Sequence, residues 1–202
     1  EIVMWLEFRR VLFRSRSLKS KEKLVRINDY ICDIPYDLAE ENNNQRRYFI
    51  NSVGIGVDAY IAYLVNTLEN SKGRWSYFKS TYRGFTKYKP EDLTITIDGE
   101  EKQFKKVWLT VVANSAYLGK GMKISPKSVR LDDKLEIIVV HGMPRLLLLL
   151  VFPLIYLGWH LRIKRFVKHY EGKEIKINSE TDKYVQYDGE TEYPRRKLHI
   201  YR

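Results

Sequence analysis

Alternating apolar and polar positions dominate the middle of the chain and predict β-strands. Residues 93–97, Leu-Thr-Ile-Thr-Ile, alternate as a strand with one buried face does. Asp98-Gly99 follows at once, and such a pair between two apolar runs indicates a two-residue hairpin. The return strand is predicted over residues 104–113. Residues 135–140 have little polar interruption, which predicts a strand near the centre of a sheet.

Further strands are predicted near both ends of the chain from alternation and from aromatic and β-branched content. They cover residues 25–34, 48–53, 174–178, 184–187 and 198–201. The polar, Asn-rich stretch 39–47 predicts a loop.

Helical spacing of apolar residues appears in two early segments. The first covers residues 60–70, and the second covers 76–88 and ends before a proline. Gly54 and Gly56 are predicted to end the preceding strand, and Asp58 to cap the first helix.

A long apolar run, residues 146–159, predicts one or two helices within 145–167, divided at Pro153 and Gly158. The run is shorter than the roughly 20 residues that a membrane span needs. A buried core helix and an interfacial helix with a basic end both fit the pattern.

The element order is mostly strands, with two helices inserted early and a helical segment late. No regular alternation of strand and helix occurs, which argues against a parallel doubly wound sheet. We therefore expect a β-rich α+β fold, an antiparallel β-sandwich with helical insertions.

Charge and cysteine content narrow the classes of partner. The 202 residues carry a formal net charge of +11, which favours an anionic partner such as a membrane surface, a phosphorylated substrate or nucleic acid. The basic residues are scattered, which argues against nucleic acid. The single cysteine, Cys32, excludes a disulfide within the chain and favours a reducing, cytoplasmic setting. The four histidines show no metal-binding spacing.

Two glycine-containing segments are candidate anion sites. Residues 53–59, Val-Gly-Ile-Gly-Val-Asp-Ala, lie between a strand and a helix, where backbone N–H groups could cradle phosphate. The third glycine of a dinucleotide fingerprint is absent, so a tight turn is the alternative. Residues 113–128 form a cationic loop in which Lys120 and Lys123 could meet an anionic group; an ordinary connection is the alternative.

Two acidic segments are candidate catalytic or metal sites. Asp132 and Asp133 lie in a turn where carboxylates and backbone carbonyls could hold magnesium, although Asp pairs also form plain turns. In Asp188-Gly189-Glu190, a Glu just past a tight turn could act as a general base. The same tripeptide at residues 98–100 shows that the triplet alone indicates only a hairpin.

The order of these motifs along the chain is more specific than any one of them. From about residue 48 to 202 it resembles the C-terminal domain of the bacterial diacylglycerol kinase and related lipid kinase family. The resemblance implies a β-sandwich substrate domain over 48–202, preceded in the family by an α/β nucleotide domain. It also implies transfer of the γ-phosphoryl group of ATP to a lipid hydroxyl such as that of diacylglycerol, with Mg²⁺ as the metal.

The family's functional residues map onto the two acidic segments. Glu190 matches the proton acceptor, and Asp188 would support the metal–phosphate region. Asp133 matches a side-chain magnesium ligand, and the backbone carbonyls of Arg130 and Leu135 match its neighbours.

The family's Gly-Gly-Asp nucleotide loop does not occur in this sequence. We therefore expect the ATP site to lie mainly outside this chain, and the chain alone to be inactive. Residues 1–15 resemble translated adapter DNA and are expected to be a non-native tail; residues 16–47 are expected to form a linker and an edge strand.

The resemblance implies a lipid substrate, ATP and the cytoplasmic surface of the inner membrane as partners, without nucleic acid; a homodimer stays open. The alternative from another class is a non-enzymatic basic β-sandwich that binds acidic membranes or nucleic acid.

Overall fold

The computed structural model describes residues 30–34, 45–68, 74–118, 121–128 and 134–201. Residues 1–15, predicted to be a non-native tail, lie outside this part of the chain.

Nine strands occur within the described ranges, and every strand pair among them is antiparallel. They are β1 (Tyr30–Ile34), β2 (Gln45–Phe49), β3 (Ser52–Gly56), β4 (Glu91–Ile97), β5 (Glu100–Ala113), β6 (Leu135–His141), β7 (Val167–Gly172), β8 (Ile175–Tyr187) and β9 (Glu190–Tyr201). The helices are α1 (Val57–Leu68), α2 (Arg74–Lys87) and α3 (Arg145–Val151), with 3₁₀ turns at Phe152–Ile155 and Trp159–Arg162.

The two long strands β5 and β8 organise the sheet. β3 pairs with the second half of β5 and with the end of β8, whereas β4 pairs with the first half of β5 and the start of β8. The remaining strands extend the order as β2-β1-β9-β8-β3-β5-β6-β7. β3 and β4 therefore lie end to end between the same two partners, and the sheet folds over into a sandwich.

Two hydrophobic cores follow from this arrangement. The inner core lies within the sandwich and includes Ile55, Ile95 and Val185. The outer core lies between the β5–β6 face and the helices. On β6, Ile137 belongs to the inner core and Ile138 to the outer one, so both faces of this strand are buried. The continuous apolar run therefore reflects burial on both faces, although β6 is the last strand but one in the strand order rather than a central one.

The structure corrects two strand predictions late in the chain. The predicted segments 174–178 and 184–187 belong to one strand, β8. They were predicted as two because shifts of register between Asn178 and Val185 interrupt the alternation of its side chains. The predicted helical region 145–167 runs into a strand that the sequence did not reveal, β7. Among the described strands it pairs with β6 alone, and it carries few apolar residues, so it lacks a clear pattern.

The early region also differs from the prediction. The single strand expected over 48–53 is two strands, β2 and β3; Gly56 ends β3 as predicted, whereas Gly54 lies inside it. A Cβ on Gly54 would lie 1.8 Å from the Asp58 carboxylate, and one on Gly56 would lie 2.5 Å from the Trp108 carbonyl. Close approach of neighbouring atoms accounts for glycine at both positions, and Gly56 also has a φ of 124°, which favours glycine.

Helices α1 and α2 pack closely at one glycine. A Cβ built on Gly84 would lie 2.2 Å from Cγ1 of Ile61, which is itself almost fully buried in the outer core. The contact brings α2 against α1, which in turn lies against β8 and β9.

We predict that Gly84→Ala lowers the free energy of unfolding by about 1–3 kcal/mol, because the added methyl group overpacks the contact with Ile61. Urea unfolding measures the change. Arg83→Ala, at an exposed neighbouring position, should shift the value by less than about 0.5 kcal/mol. Equal effects of the two substitutions would contradict the packing argument.

Candidate functional site

Three of the sequence motifs meet at one end of the sheet. The first residue of β3, Ser52, lies opposite Ala113 at the end of β5. On its other side, Val53 lies opposite Tyr187 at the end of β8. The β8–β9 turn and the segment after β5 therefore flank the start of β3, although the chain separates these segments widely.

The Asp188 carboxylate ties the β8–β9 turn to the junction between β2 and β3. Its Oδ2 accepts a hydrogen bond from the backbone N–H of Ile50 at 2.7 Å. Its Oδ1 accepts from those of Asn51 at 2.9 Å and Ser52 at 3.0 Å. The N–H of Asp188 donates to the Ser52 carbonyl at 3.1 Å. We call these four bonds the Asp188 clamp.

Asn114 holds the same junction from the other side. Its backbone N–H donates to the Asn51 carbonyl at 2.8 Å, and its Nδ2 donates to the Ile50 carbonyl at 2.9 Å. The side chain is 2% exposed. Asn114 is therefore the part of the 113–128 motif that contributes directly to this end of the sheet.

The other Asp-Gly-Glu triplet, at residues 98–100, forms the same kind of turn and carboxylate contact at another place in the sheet. Asp98 and Asp188 both have a φ of 47°, and the glycine after each also has a positive φ, as a type I′ hairpin turn requires. Oδ1 of Asp98 accepts from the N–H groups of Lys173 and Glu174 at 2.9 and 2.8 Å. In both copies, then, the aspartate is a turn residue whose carboxylate binds a neighbouring backbone.

Glu190 differs from its neighbours in having a free carboxylate. It is the first residue of β9, lies opposite Tyr187 and is exposed. No hydrogen bond or ion pair within the described ranges engages its side chain. By contrast, Glu192, two residues further on, is bound by Arg47 and Arg195. Glu190 therefore presents an accessible proton acceptor on a turn that the Asp188 clamp fixes.

A buried carboxylate that the sequence prediction treated as a helix cap lies behind this turn. Asp58 Oδ2 is 3.5 Å from Nε2 of Gln186, whose Oε1 accepts from the Gly189 N–H at 2.8 Å. Oδ1 of Asp58 is buried without a partner among the described residues. Burial raises the pKa of Asp58 to about 7, against smaller opposing effects of the Ala59 N–H and Gln186. Asp58 thus supports Gly189, the residue before Glu190, through Gln186.

Aromatic side chains line the surface beside the turn. On α1, Asn66 donates to the Gly189 carbonyl at 3.2 Å, and Tyr63 packs on Tyr184 with ring centroids 4.7 Å apart. Tyr184 stacks on Tyr193 at 4.3 Å. A cavity of about 230 Å³ continues from these rings, lined by Tyr60, Lys87, Tyr88, Lys89, Glu91, Asp182, Lys183, Tyr184 and Tyr193. The order of elements alone did not indicate this surface.

Of the implied magnesium ligands, only Leu135 belongs to the described part of the chain. Its side chain is fully buried in the inner core, and since leucine carries no metal-binding atom in its side chain, the implied role falls to the backbone carbonyl. Arg130 and Asp133 lie outside the described residues, as do Asp132 and Lys120. Among those that are described, no three His, Cys, Asp or Glu side chains form a metal-binding group.

The Leu135 end of β6 lies at the same end of the sheet as the Asp188 clamp, because Glu136 pairs with Ala113. Three strand spacings separate β6 from β8, or about 14 Å along the sheet. Leu135 and Glu190 therefore lie at the same end of the sheet but three strands apart.

Comparisons with known proteins match the fold of this chain. The matching family model is described as the YegS C-terminal NAD kinase beta sandwich-like domain and covers residues 51–196. A solved structure titled "Crystal structure of a putative diacylglycerol kinase from Bacillus anthracis str. Sterne" is 26% identical, with a TM-score of 0.57. It matches over 85% of this chain and 53% of its own.

Curated relatives carry kinase names. A Bacillus subtilis (strain 168) protein named "Putative lipid kinase YtlR" is 27% identical over 159 residues, which is 74% of this chain and 50% of that protein. A Mycobacterium tuberculosis (strain ATCC 25618 / H37Rv) protein named "Diacylglycerol kinase" is 23% identical over 124 residues, or 61% of this chain and 40% of that protein. The chain therefore spans half or less of these relatives.

The antiparallel fold and the family model over residues 51–196 place this chain in the class of NAD kinase-like β-sandwich domains. The chain belongs to the YegS C-terminal domain family, and its relatives include proteins named as lipid kinase and diacylglycerol kinase. The family resemblance and the sandwich fold expected from the sequence are both confirmed.

The part of the chain that the structure describes contains no helix with the length and apolar character needed to cross a bilayer.

We predict that Asp188→Ala lowers the free energy of unfolding by about 3 kcal/mol or more, because three backbone N–H groups lose a charged acceptor. Asp188→Asn should cost less, since Asn retains one carbonyl oxygen and tolerates the positive φ. Urea unfolding of both variants tests the order. The clamp is unimportant if the alanine variant is no less stable than the asparagine variant.

A second prediction concerns pH. Burial raises the folded-state pKa of Asp58 from 3.8 to about 7, so the folded protein keeps a proton that the unfolded chain releases. The free energy of unfolding is then greatest below pH 3.8 and falls as the pH rises towards about 7. Because Asn does not titrate, Asp58→Asn should gain stability relative to wild type by a few kcal/mol between about pH 4 and pH 8. Urea unfolding across this range measures the difference, which a pH-independent offset would contradict.

Proposed function

We propose that this chain is the substrate-side, C-terminal part of an ATP-dependent lipid kinase, with Glu190 as the general base. The free carboxylate on a fixed turn is the single observation that carries the proposal. The family membership supports the kinase class, and the lipid kinase names of the relatives support a lipid hydroxyl such as that of diacylglycerol as acceptor.

In this proposal Glu190 takes the proton of the lipid hydroxyl as its oxygen attacks the γ-phosphorus of ATP. An oxygen–phosphorus bond forms, the bond to the bridging oxygen breaks, and ADP leaves with the electron pair. Such a reaction depends on positioning and on neutralising charge. A base within reach of the hydroxyl contributes roughly 10²–10⁴-fold.

The other residues of the turn act on position. Asp188 is bound by three backbone N–H groups, so we assign it to holding the turn rather than to touching phosphate. Gln186 holds the Gly189 N–H, and Asp58 holds Gln186. Together they limit the directions in which the backbone at Glu190 can move.

Magnesium would neutralise phosphate charge when bound. The Asp133 side chain and the carbonyls of Arg130 and Leu135 are the proposed ligands, and all three are oxygen donors of the kind magnesium prefers. We propose that ATP binds mainly in a further domain and that this chain alone does not transfer phosphate. Residues 48–202 would then be the substrate domain, following a linker and edge strand over 16–47.

The proposed place of action is the cytoplasmic face of the inner membrane, where a lipid acceptor is available. Homodimer formation and the absence of nucleic-acid binding stay predictions.

The decisive test is Glu190→Gln in the full-length gene product, assayed for transfer of labelled phosphate from ATP to diacylglycerol in detergent micelles. We expect kcat to fall by about 10²-fold or more, because Gln cannot accept the proton. Glu100→Gln is the matched control, since Glu100 occupies the same place in the other Asp-Gly-Glu hairpin. It should leave kcat within about twofold of wild type.

Undiminished turnover in the Glu190 variant would remove this residue from the role of base. If the wild-type gene product transfers no phosphate to any lipid hydroxyl, the non-enzymatic membrane- or nucleic-acid-binding alternative replaces the kinase proposal.

A further inference from the structure

The tyrosine-lined cavity beside the turn lies at a gap in the sheet. β8 pairs with β4 over residues 175–178 and with β3 over 185–187, so residues 179–184 of β8 pair with neither strand. β3 ends at Gly56, and β4 begins at Glu91. The cavity is lined from the first turn of α1, the segment that joins α2 to β4, the unpaired part of β8 and the middle of β9. Four separate parts of the chain therefore converge on it.

The acidic side chains of the cavity have partners within the protein. Lys183 is only 4% exposed, and its Nζ donates to the Glu91 carboxylate and to Oγ1 of Thr181, the latter at 2.6 Å. A buried ammonium needs such a partner, because an unpaired buried charge is strongly destabilising. Oδ1 of Asp182 accepts from Nε of Arg196 at 2.6 Å. Neither carboxylate therefore adds uncompensated negative charge to the cavity.

The remaining polar groups of the lining are hydrogen-bond donors. Lys87 and Lys89 are exposed, and no hydrogen bond or ion pair within the described ranges engages either ammonium. The hydroxyls of the four lining tyrosines have no hydrogen-bond partner there either. Burial raises the pKa of Tyr88, and the charges of Asp58 and Glu91 raise it further, so this phenol keeps its proton. Free cations and O–H donors together suit a ligand with several anionic oxygens.

The tyrosine rings form a preassembled wall. The ring centroid of Tyr184 lies 5.1 Å from that of Tyr60 and 4.3 Å from that of Tyr193. Tyr60 in turn lies 6.0 Å from Tyr88. The cavity volume of about 230 Å³ is below the roughly 300–1,000 Å³ of sites that hold drug-sized ligands. The site therefore fits a small molecule or the head group of a larger one.

We infer that this cavity binds a small phosphate ester. The phosphate meets Lys87, Lys89 and the tyrosine hydroxyls, and the carbon skeleton lies against the rings. A phosphate suits this lining better than a carboxylate does, because it offers three acceptor oxygens to several donors at once. Tyr193 lies three residues beyond Glu190, about 10 Å along β9, so the cavity is separate from the proposed base. The inference goes beyond the proposed function and does not rest on it.

Isothermal titration calorimetry of the full-length gene product with glycerol 3-phosphate tests the inference. We expect saturable binding, at least about tenfold tighter than that of glycerol, because only the ester offers charged acceptors. Lys87→Gln with Lys89→Gln should weaken binding of the ester about tenfold or more. Lys164→Gln with Lys173→Gln removes the same charge from exposed positions outside the cavity lining. This control should change the affinity by less than about threefold.

The aromatic wall has its own matched pair. Tyr193→Ala should weaken binding of glycerol 3-phosphate about fivefold or more, because the carbon skeleton loses a ring to pack against. Tyr82→Ala is the control, since Tyr82 is 65% exposed on α2 and does not line the cavity. It should change the affinity by less than about twofold. Circular dichroism confirms that each variant is folded.

The ester could be a soluble metabolite or the head group of a phosphorylated lipid, and a second ligand distinguishes the two. Lysophosphatidic acid, used below its micelle-forming concentration, carries the same glycerol phosphate with one acyl chain. At least about tenfold tighter binding of this lipid, lost in the Lys87 and Lys89 double variant, would identify a lipid head group. Equal affinities for the two esters would identify a soluble ligand.

Two results would overturn the inference. One is the absence of saturable binding of either ester up to about 10 mM. The other is binding that is the same in the double variant of Lys87 and Lys89 as in the wild type, which would place the ester elsewhere in the protein. Because the measurement needs no ATP, Glu190→Gln should bind as wild type does, and a failed kinase proposal would leave this result readable on its own.

Discussion

The Asp188 carboxylate, shared among three backbone N–H groups, is the constraint on which this end of the molecule depends. Hydrogen bonds to a charged acceptor contribute roughly 1.5–3 kcal/mol each, so the clamp is strong relative to a typical net stability. It fixes the point where β2 and β3 diverge, one towards β1 and the other between β5 and β8. Without it, the position of Glu190 would depend on the two-residue geometry of the β8–β9 turn and on the hydrogen bonds of Gln186 and Asn66 to Gly189.

The sequence predicted elements well where burial has a simple pattern. The β4–β5 hairpin has one alternating strand and an Asp-Gly turn, and the structure confirms both. β6 is buried on both faces, which its continuous apolar run reflects. Prediction from the sequence pattern failed where burial is irregular. β8 combines shifts of register with a change of partner from β4 to β3, and β7 has one partner strand, β6, among the described residues. Tertiary pairing decides such strands, and a local sequence does not encode it.

The candidate site was predictable in part, from the order of motifs along the chain rather than from local patterns of burial. The two Asp-Gly-Glu triplets are the same locally and form the same turn, so only the order of motifs along the chain singled out the second one. What distinguishes them physically is the neighbouring backbone: Asp98 binds the β7–β8 connection, whereas Asp188 binds the junction of β2 and β3. The buried environment of Asp58 was not predicted, because it depends on Gln186, 128 positions away, and on the absence of a side chain at Gly54.

The same arrangement separates the carboxylates near the turn into distinct chemical roles. Asp188 accepts three N–H donors and Glu192 is paired with two arginines, so both carboxylates are engaged within the protein. Asp58 is buried, and its raised pKa of about 7 reflects a proton that burial helps to retain. Glu190 alone combines exposure with a fixed backbone. A group that must meet a lipid hydroxyl needs both properties, because an exposed side chain on a mobile turn would lose the positioning on which phosphoryl transfer depends.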